Sequence, residues 1–214
     1  MNLVFLGPPG SGKGTQAMRV AKALHLVHIS TGDLLREAVK NKTELGKRVE
    51  DFMKQGQLVP DELVISLIGQ KISTIENSNG FILDGFPRNL PQAKSLKFMF
   101  EHLDKHLDHA ILLKVSDAEV VRRLSGRWQC PKCNAGYNYP RNMPKHEGIC
   151  DKDGEKLLRR TDDEEKVVRN RLAVYQIETS PIEDFYREEN ILEEIEGEQN
   201  PDKVFQDILS AVKE

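Results

Sequence analysis

The chain has 214 residues, of which 30% are charged and 38% hydrophobic, and its formal net charge at pH 7 is -3. This length can bury a substantial core, and the near-neutral charge argues against a broad surface for nucleic acid or membrane. No apolar run approaches the ~20 residues of a membrane span, and the N-terminus lacks the features of a signal peptide. We therefore expect a globular protein of the cytoplasm.

Short apolar runs alternate with longer helical patterns along most of the chain. The runs predict five strands, at Leu3–Leu6, Val27–Ile29, Phe81–Leu83, Ala110–Val115 and Ile191–Ile195. Between and after them lie helix candidates at about 14–24, 31–41, 44–55, 61–74, 90–105, 117–125, 163–178, 182–188 and 202–212, with Ser180-Pro181 separating the helices of the late pair. This alternation predicts an α/β fold with a parallel five-stranded sheet and helices on both faces.

A glycine-rich loop, Gly7-Pro8-Pro9-Gly10-Ser11-Gly12-Lys13-Gly14-Thr15, follows the first strand and opens a helix. In such loops the backbone N–H groups and the helix N-terminus point at an anion, and the lysine adds a cation for the β- and γ-phosphates of a nucleotide. The strict P-loop pattern has Ser or Thr directly after the lysine, whereas Gly14 stands there in this chain. Thr15 is therefore the candidate hydroxyl for Mg²⁺ at this predicted phosphate site.

A second group of motifs predicts a site for an acceptor nucleotide. Ser30-Thr31-Gly32-Asp33-Leu34-Leu35-Arg36 follows the second strand, and Asp84-Gly85-Phe86-Pro87-Arg88 follows the third, at the edge where open α/β sheets bind ligands. The arginines suit phosphate, Asp84 suits Mg²⁺ held through water, and Gln92 suits the edge of a base. Taken singly, Thr31 also fits a helix cap, Asp84 a turn, and Arg36 and Gln92 an ordinary surface.

Arginines near two later helices are candidates for the transfer of a phosphoryl group, which needs positive charge around its oxygens. Helical periodicity places Arg123 and Arg127 at the border of one apolar stripe and Arg171 at the border of another. The same periodicity predicts that Arg122 and Arg169 face solvent. For the three bordering arginines, ordinary ion pairing remains an alternative.

Residues 128–158 break the strand–helix rhythm and predict a small inserted subdomain. Cys130-Pro131-Lys132-Cys133 and Cys150-Asp151-Lys152-Asp153 supply two pairs of ligands, which can hold one tetrahedral zinc ion. Asp153 stands where a fourth cysteine would be and is our choice of fourth ligand, with His146 and Asp151 as alternatives. Four protein ligands leave no open position, so the metal would be structural, and iron or cobalt also suits such ligands.

Together these motifs resemble the adenylate kinases, which are nucleoside monophosphate kinases, in their long-lid, zinc-bearing bacterial form. The resemblance covers essentially the whole chain and includes Gly-Lys-Gly-Thr-Gln, Asp-Gly-Phe-Pro-Arg, Ser-Gly-Arg and the cysteine pattern. It implies a phosphotransferase that passes the γ-phosphoryl group of MgATP reversibly to AMP, gives two ADP and so maintains the balance of adenine nucleotides.

The resemblance also implies a role for individual residues. For ATP it implies Gly10, Ser11, Gly12, Lys13, Gly14, Thr15, Arg127, Gly136, Tyr137 and Gln199. For AMP it implies Thr31, Arg36, Met53, Gln57, Leu58, Val59, Gly85, Phe86, Pro87, Arg88, Gln92, Arg160 and Arg171. For the transfer itself it implies Lys13, Asp84, Arg88, Arg123, Arg127, Arg160 and Arg171. Asp162 and Asp163 would orient the lid, although capping of the helix at about 163 is a competing role.

The resemblance implies a P-loop core at 1–29, 60–126 and 161–214, a helical AMP-binding arm at 30–59 and a zinc-binding lid at 127–160. We expect a monomer that binds ATP, AMP and ADP and neither nucleic acid nor membrane. A UMP or CMP kinase shares two motifs but fits the long cysteine lid poorly. An ATP-binding regulator would leave the second site without a purpose, and a zinc-dependent nucleic-acid binder fits the net charge of -3 poorly.

Overall fold

The structure, a computed structural model, describes residues 1–75 and 79–213, so residues 76–78 and 214 of the expected core domain lie outside the described residues. The strands are β1 (Asn2–Leu6), β2 (Val27–Ser30), β3 (Phe81–Asp84), β4 (His109–Lys114), β5 (Arg127–Gln129), β6 (Gly136–Asn138) and β7 (Leu192–Glu196). Five of them form a parallel sheet in the order β2-β3-β1-β4-β7, which confirms the predicted fold class. β5 and β6 form a separate antiparallel pair.

The helices of the described ranges follow the predicted order. They are α1 (Lys13–Leu24), α2 (Thr31–Lys40), α3 (Glu44–Gln55), α4 (Asp61–Ser73), α5 (Leu90–His102), α6 (Asp117–Ser125), α7 (Glu165–Val174), α8 (Pro181–Glu188) and α9 (Pro201–Ala211). None of them combines the length and the apolar character that a helix needs to cross a bilayer.

Strand β1 is buried on both faces of the sheet, which explains its continuous apolar run. Val4 and Leu6 pack in a cluster with α2 to α5 and α8, whereas Leu3 and Phe5 pack in a second cluster with α1 and α9. Each of these side chains is at most 3% exposed, and full burial of such a side chain stabilises a fold by roughly 1.5–3 kcal/mol. The sheet is therefore a rigid base for the loops at its edge.

The register of the sheet brings the predicted motifs together. Phe5 of β1 and Ser30 of β2 both pair with Asp84 of β3. Because the strands are parallel, their carboxyl ends meet at one edge. The segments that follow β1, β2 and β3 consequently surround the same space.

The helix predicted over 163–178 is divided in the structure. A 3₁₀ turn at Thr161–Asp163 precedes α7, and a π-helical turn at Tyr175–Thr179 joins α7 to α8. Pro181 begins α8, as predicted, because it has no N–H with which to continue the preceding ladder. Within the widened turn, the hydroxyl of Thr179 donates to the carbonyl of Arg88 at 2.7 Å.

Residues between α6 and α7 form a small unit, which we call the lid. Its strands pair Trp128 with Tyr137, and its own core contains Tyr137, Cys130, Cys150 and Leu157. This unit thus has a hydrophobic cluster of its own, separate from the two clusters that cover the sheet.

Candidate active site and lid metal site

The loop after β1 is shaped by glycines that a larger residue would disrupt. Gly10 has a φ of 78°, and a Cβ placed there would lie 2.8 Å from Leu124 Cγ. Gly12, with a φ of 98°, precedes α1 and supplies no side chain that caps the helix. The first N–H groups of α1 therefore face the loop without a capping side chain, which is the arrangement that binds phosphate.

The nearby carboxylate of Asp84 explains why Gly14 stands directly after Lys13, where the strict P-loop pattern has Ser or Thr. A Cβ at this position would lie 3.0 Å from Asp84 Oδ2, so the approach of β3 leaves little room for a side chain. The Asp84 carboxylate also lies 3.4 Å from His28 Nε2, a contact that the sequence motifs did not reveal. Thr15, the next hydroxyl in the chain, lines the same cleft as Asp84.

Lys13 lies at the base of this cleft and turns back onto its own loop. Its Nζ donates to the carbonyl of Gly7 at 2.5 Å and to that of Pro8 at 2.8 Å. Burial of the amine lowers the pKa of Lys13 to about 7; Asp84 opposes this change, and nearby arginines add to it. A bound polyphosphate would supply the negative charge that this cation lacks.

One cleft of about 940 Å³ joins the loop after β1 to the lid and to α2. Every residue that the sequence assigned to ATP lines it, namely Gly10, Ser11, Gly12, Lys13, Gly14, Thr15, Arg127, Gly136, Tyr137 and Gln199. So do the residues assigned to the transfer, namely Lys13, Asp84, Arg88, Arg123, Arg127, Arg160 and Arg171. The two groups come from segments that are distant in sequence, and the fold brings them to one space.

A second, smaller cavity of about 60 Å³ opens beside the first. Ten residues assigned to AMP line it, namely Thr31, Arg36, Met53, Gln57, Leu58, Val59, Gly85, Arg88, Gln92 and Arg171. Pro87 and Arg160 line the larger cleft instead. Phe86 lines neither cavity, because its side chain is fully buried in the hydrophobic core.

The structure separates the two readings of Thr31. The side chain of Ser30 caps α2 by accepting from the N–H of Asp33 at 3.3 Å, so Thr31 is not the cap. Thr31 is 2% exposed, and its Oγ1 has no hydrogen-bond partner among the described residues. A buried hydroxyl without a hydrogen bond carries a desolvation penalty. A ligand in the smaller cavity that bonds to Thr31 would remove this penalty.

Three arginines share two carboxylates at the junction of the lid and α7. Arg127 binds Asp163 through two hydrogen bonds, one of 2.6 Å from Nε, and Arg160 binds Asp162 through two of 2.9 Å. Arg171 reaches Asp162 Oδ2 at 3.0 Å. Burial alone would raise the pKa of Asp162, but the three arginines together hold it well below its usual range. With three cations against two anions, the cluster keeps positive charge facing the cleft.

Asp163 does not cap the helix that follows it. Glu164 occupies the capping position of α7 and makes no side-chain capping bond. The Asp163 carboxylate, 1% exposed, instead accepts from Arg127. A buried carboxylate needs a charged partner more than a helix end that water can solvate.

Arg123 is fixed against the glycine-rich loop after β1 by three different acceptors. Its guanidinium donates to Glu119 at 2.6 Å, to the carbonyl of Ser11 at 3.0 Å and to the carbonyl of Gly197 at 2.8 Å. Glu119, which the sequence motifs did not point to, also accepts from Arg122 and from Arg141 of the lid. Its pKa is lowered to about 2 because these arginines outweigh the effect of burial.

The prediction from helical periodicity that Arg122 and Arg169 face solvent is confirmed. Arg122 has a side chain that is 47% exposed, and Arg169 has one that is 70% exposed and pairs with Glu165 on its own helix. Helical spacing is informative here because the apolar stripe of each helix is well defined.

The three lid cysteines and one carboxylate converge on a single point. The ligand atoms of Cys130, Cys133, Cys150 and Asp153 all lie within 4.8 Å of one another. Cys133 Sγ is 3.6 Å from Cys150 Sγ, and Cys130 Sγ is 3.4 Å from both Asp153 oxygens. Sulfur atoms about 2.3 Å from a tetrahedral zinc ion would have such spacings. The alternative ligands His146 and Asp151 do not belong to this group of four, which was identified among the described residues.

Further hydrogen bonds support the same cluster. The N–H groups of Lys132 and Cys133 point at Cys130 Sγ at 3.4 and 3.5 Å, and Lys152 N–H points at Cys150 Sγ at 3.4 Å. Such donors stabilise thiolates and orient metal ligands. The residues present therefore fit a structural zinc ion.

Comparison with known proteins gives full-length similarity. The sequence model of the family described as adenylate kinase matches residues 5–191. Over 213 residues the chain is 46% identical to an adenylate kinase of Thermosipho africanus and 45% identical to one of Brevibacillus brevis, in each case covering 100% of both chains. It is 44% identical to an adenylate kinase of Methanocella arvoryzae, covering 100% of this chain and 99% of the relative.

Proposed function

The chain belongs to the adenylate kinase family, and from that premise we propose how its own residues carry out the reaction. The enzyme is an ATP:AMP phosphotransferase, which transfers the γ-phosphoryl group of MgATP reversibly to AMP, gives two ADP and so balances adenine nucleotides. The observation that carries the proposal is that one continuous cleft joins the phosphate loop to the arginine cluster and borders the smaller cavity.

On the donor side, the glycine loop and the first N–H groups of α1 hold the β- and γ-phosphates of ATP. Lys13 gives up its bonds to Gly7 and Pro8 and moves to these phosphates. Gly136 and Tyr137 of the lid and Gln199 enclose the nucleoside. Mg²⁺ accompanies ATP in adenylate kinases; the hydroxyl of Thr15 and a water held by Asp84 would bind it, and it would neutralise charge on the donor phosphates.

On the acceptor side, AMP occupies the smaller cavity and the part of the cleft beside it. Arg36 and Arg88 bind its phosphate, and the unpartnered hydroxyl of Thr31 and the amide of Gln92 bind its base. Burial lowers the pKa of both arginines, Arg36 and Arg88, which reflects cations held in the protein without a full set of anions. The AMP phosphate would complete that set.

The transfer itself needs no nucleophile from the protein. A phosphate oxygen of AMP attacks the γ-phosphorus of ATP, a new P–O bond forms, and the bond from the γ-phosphorus to the bridging oxygen breaks, which leaves ADP on the donor side. Arg123, Arg127, Arg160 and Arg171 surround the oxygens of the moving group and stabilise their charge. Closure of the lid excludes water, so that the group passes to AMP and is not hydrolysed.

For the lid we propose a structural zinc ion held by Cys130, Cys133, Cys150 and Asp153, supported by the spacing of their ligand atoms. We also propose the division into a core (1–29, 60–126, 161–214), an AMP-binding arm (30–59) and a lid (127–160). The small independent core of the lid supports the last of these.

We further propose a monomer that works in the cytoplasm and binds neither nucleic acid nor membrane. The three cysteines are free thiols gathered at one point, as a reducing compartment allows. Light scattering coupled to gel filtration, with and without nucleotide, tests the monomer.

The experiment that tests the function is an assay of ADP formation from MgATP with AMP, CMP, UMP or GMP as acceptor. We expect turnover with AMP to exceed turnover with the other three. A preference for CMP or UMP would leave the fold intact and overturn the assignment of the acceptor pocket. Binding of ATP without turnover on any acceptor would indicate a regulator and contradict the transfer.

A further inference from the structure

The side chain of Gln92 is held in one orientation by two groups of opposite hydrogen-bonding character. Its Nε2 donates to Asp61 Oδ1 at 2.6 Å, and its Oε1 accepts from the backbone N–H of Arg88 at 2.8 Å. An ionised carboxylate can only accept, and a backbone N–H can only donate. Exchange of the amide nitrogen and oxygen would therefore lose both hydrogen bonds and place two like groups against each other.

Asp61 is itself held in place by the protein. It is the first residue of α4, where the helix dipole favours a negative charge. Asn89 Nδ2 donates to its two carboxylate oxygens at 2.9 and 3.2 Å, and Asn89 Oδ1 accepts from the backbone N–H of Gln92 at 2.9 Å. The three residues form a closed network, so a turn of Asp61 away from Gln92 would also break its hydrogen bonds with Asn89, the residue that caps α5.

The fixed amide still has hydrogen-bonding capacity to spare. A primary amide carries two N–H hydrogens and two oxygen lone pairs. Among the described residues, the Gln92 side chain makes only the bonds to Asp61 and Arg88, so one hydrogen and one lone pair remain uncommitted. Gln92 is 1% exposed and lines the smaller cavity, where a ligand is the natural partner for both.

The orientation of this amide decides which bases it can match. On its Watson–Crick edge, adenine presents the 6-amino donor beside the N1 acceptor, which pairs with an amide that offers its oxygen to the amino group and its N–H to N1. Hypoxanthine and guanine present a 6-oxo acceptor beside an N1–H donor, which requires the amide to be reversed. A glutamine that was free to turn over would accept both kinds of base.

We propose that Asp61 is a specificity-determining residue of the acceptor site. By fixing the orientation of the Gln92 amide, it favours 6-aminopurine monophosphates over 6-oxopurine monophosphates. Asp61 acts through Gln92 and does not itself bind the nucleotide. The proposal rests on the proposed function, which places the base of AMP against Gln92.

The test compares AMP with IMP, because these acceptors differ only in the 6-amino and 6-oxo groups and in the proton on N1. In Asp61→Asn the new amide can present either a donor or an acceptor to Gln92, so reversal of Gln92 costs less. We expect the ratio of kcat/KM for AMP to that for IMP to fall about tenfold, as the loss of roughly one hydrogen bond implies. The matched control is Glu62→Gln, an exposed carboxylate in the same helical turn, which should keep the wild-type ratio.

An unchanged ratio in Asp61→Asn overturns the role of Asp61. This includes an equal loss of kcat/KM for both acceptors with a lower melting temperature, which is what a purely structural residue would give. Gln92→Leu separates the proposal from the function beneath it. If Gln92→Leu keeps the wild-type ratio, Gln92 does not read the base and the acceptor pocket is wrongly assigned. If Gln92→Leu lowers the ratio of kcat/KM for AMP to that for IMP while Asp61→Asn leaves it unchanged, only the role of Asp61 fails.

Discussion

The carboxylate of Glu119 in α6 accepts a 2.8 Å hydrogen bond from Arg141 in the lid. The same carboxylate binds Arg123, which in turn contacts the carbonyl of Ser11 in the phosphate loop. One side chain therefore links the lid to the donor site. Because it is 11% exposed, water screens these pairs less than it screens an ion pair at the surface.

Glu119→Gln should weaken ATP binding more than AMP binding. The substitution removes the charge that positions Arg123 and the contact that holds Arg141. We expect KM for ATP to rise about tenfold, because a hydrogen bond to a charged group contributes about 1.5–3 kcal/mol. KM for AMP should stay within about twofold, because the arginines that Glu119 binds, Arg122, Arg123 and Arg141, are not among the residues assigned to AMP. Steady-state kinetics measure both constants. Glu165→Gln, which breaks an exposed pair with Arg169, is the control and should leave both unchanged.

Glu119 should also make the stability of the protein depend on pH. Its pKa is about 2 in the folded protein, below the ordinary value for Glu. Its contribution to stability is therefore present above the unfolded pKa of about 4.3 and is lost as the pH falls toward 2. Urea unfolding at several pH values should show a difference between wild type and Glu119→Gln that shrinks over this window. A constant difference from pH 6 to 2 would contradict the pKa shift.

Lys13→Met should lower kcat by a factor of about 10² or more, because it removes a cation from the charge of the transition state. The fold should remain intact, since the hydrogen bonds of Lys13 Nζ within the described residues go to two loop carbonyls and the hydroxyl of Ser11. Turnover and the melting temperature measure the two effects separately. Lys22→Met, on an exposed position of α1, should retain wild-type turnover. Near-normal turnover of Lys13→Met would remove Lys13 from the mechanism.

Thr31→Val should raise KM for AMP without a loss of stability. The hydroxyl is buried and makes no hydrogen bond among the described residues, so folding does not depend on it. KM for ATP should stay unchanged. The neighbouring Ser30→Ala should lower the stability of the protein by about 1 kcal/mol, because it removes the cap of α2. It should leave KM for AMP unchanged, because Thr31 still lines the cavity. Equal effects of the two substitutions on KM for AMP would contradict this division of roles.

The identity of the fourth zinc ligand can be tested by comparing substitutions of two aspartates in the lid, Asp153 and Asp151. Asp153→Asn should reduce zinc affinity and lower the melting temperature, because metal binding contributes to the folding free energy of such a site. Asp151→Asn should keep one zinc per chain, since Asp151 Oδ1 accepts from the N–H of Lys145 instead. Zinc per chain, measured by atomic emission after dialysis, gives the result. Cys130→Ser should lose zinc in the same way, and full zinc content in Cys130→Ser would contradict the cluster.

Much of the fold was predictable because its signals are local. The apolar runs of the five strands and the periodicity of the helices follow from burial of one or two faces, and the structure reproduces them with boundaries shifted by a few residues. The helix predicted over 163–178 is an exception. Its α-helical part ends at Val174 and continues as a π-helical turn at Tyr175–Thr179, and apolar periodicity does not distinguish the two.

The sequence by itself determined the phosphate loop, the order of strands and helices, the cysteine pairs and the family, because each is encoded in residues that are adjacent or regularly spaced. Only the tertiary structure decided which distant partners meet. Asp61 and Gln92 are 31 residues apart, Glu119 and Arg141 are 22 apart, and Asp163 pairs with Arg127 across 36. Such pairings depend on the register of the sheet and on the packing of the lid, and no local pattern of hydrophobicity or charge specifies them.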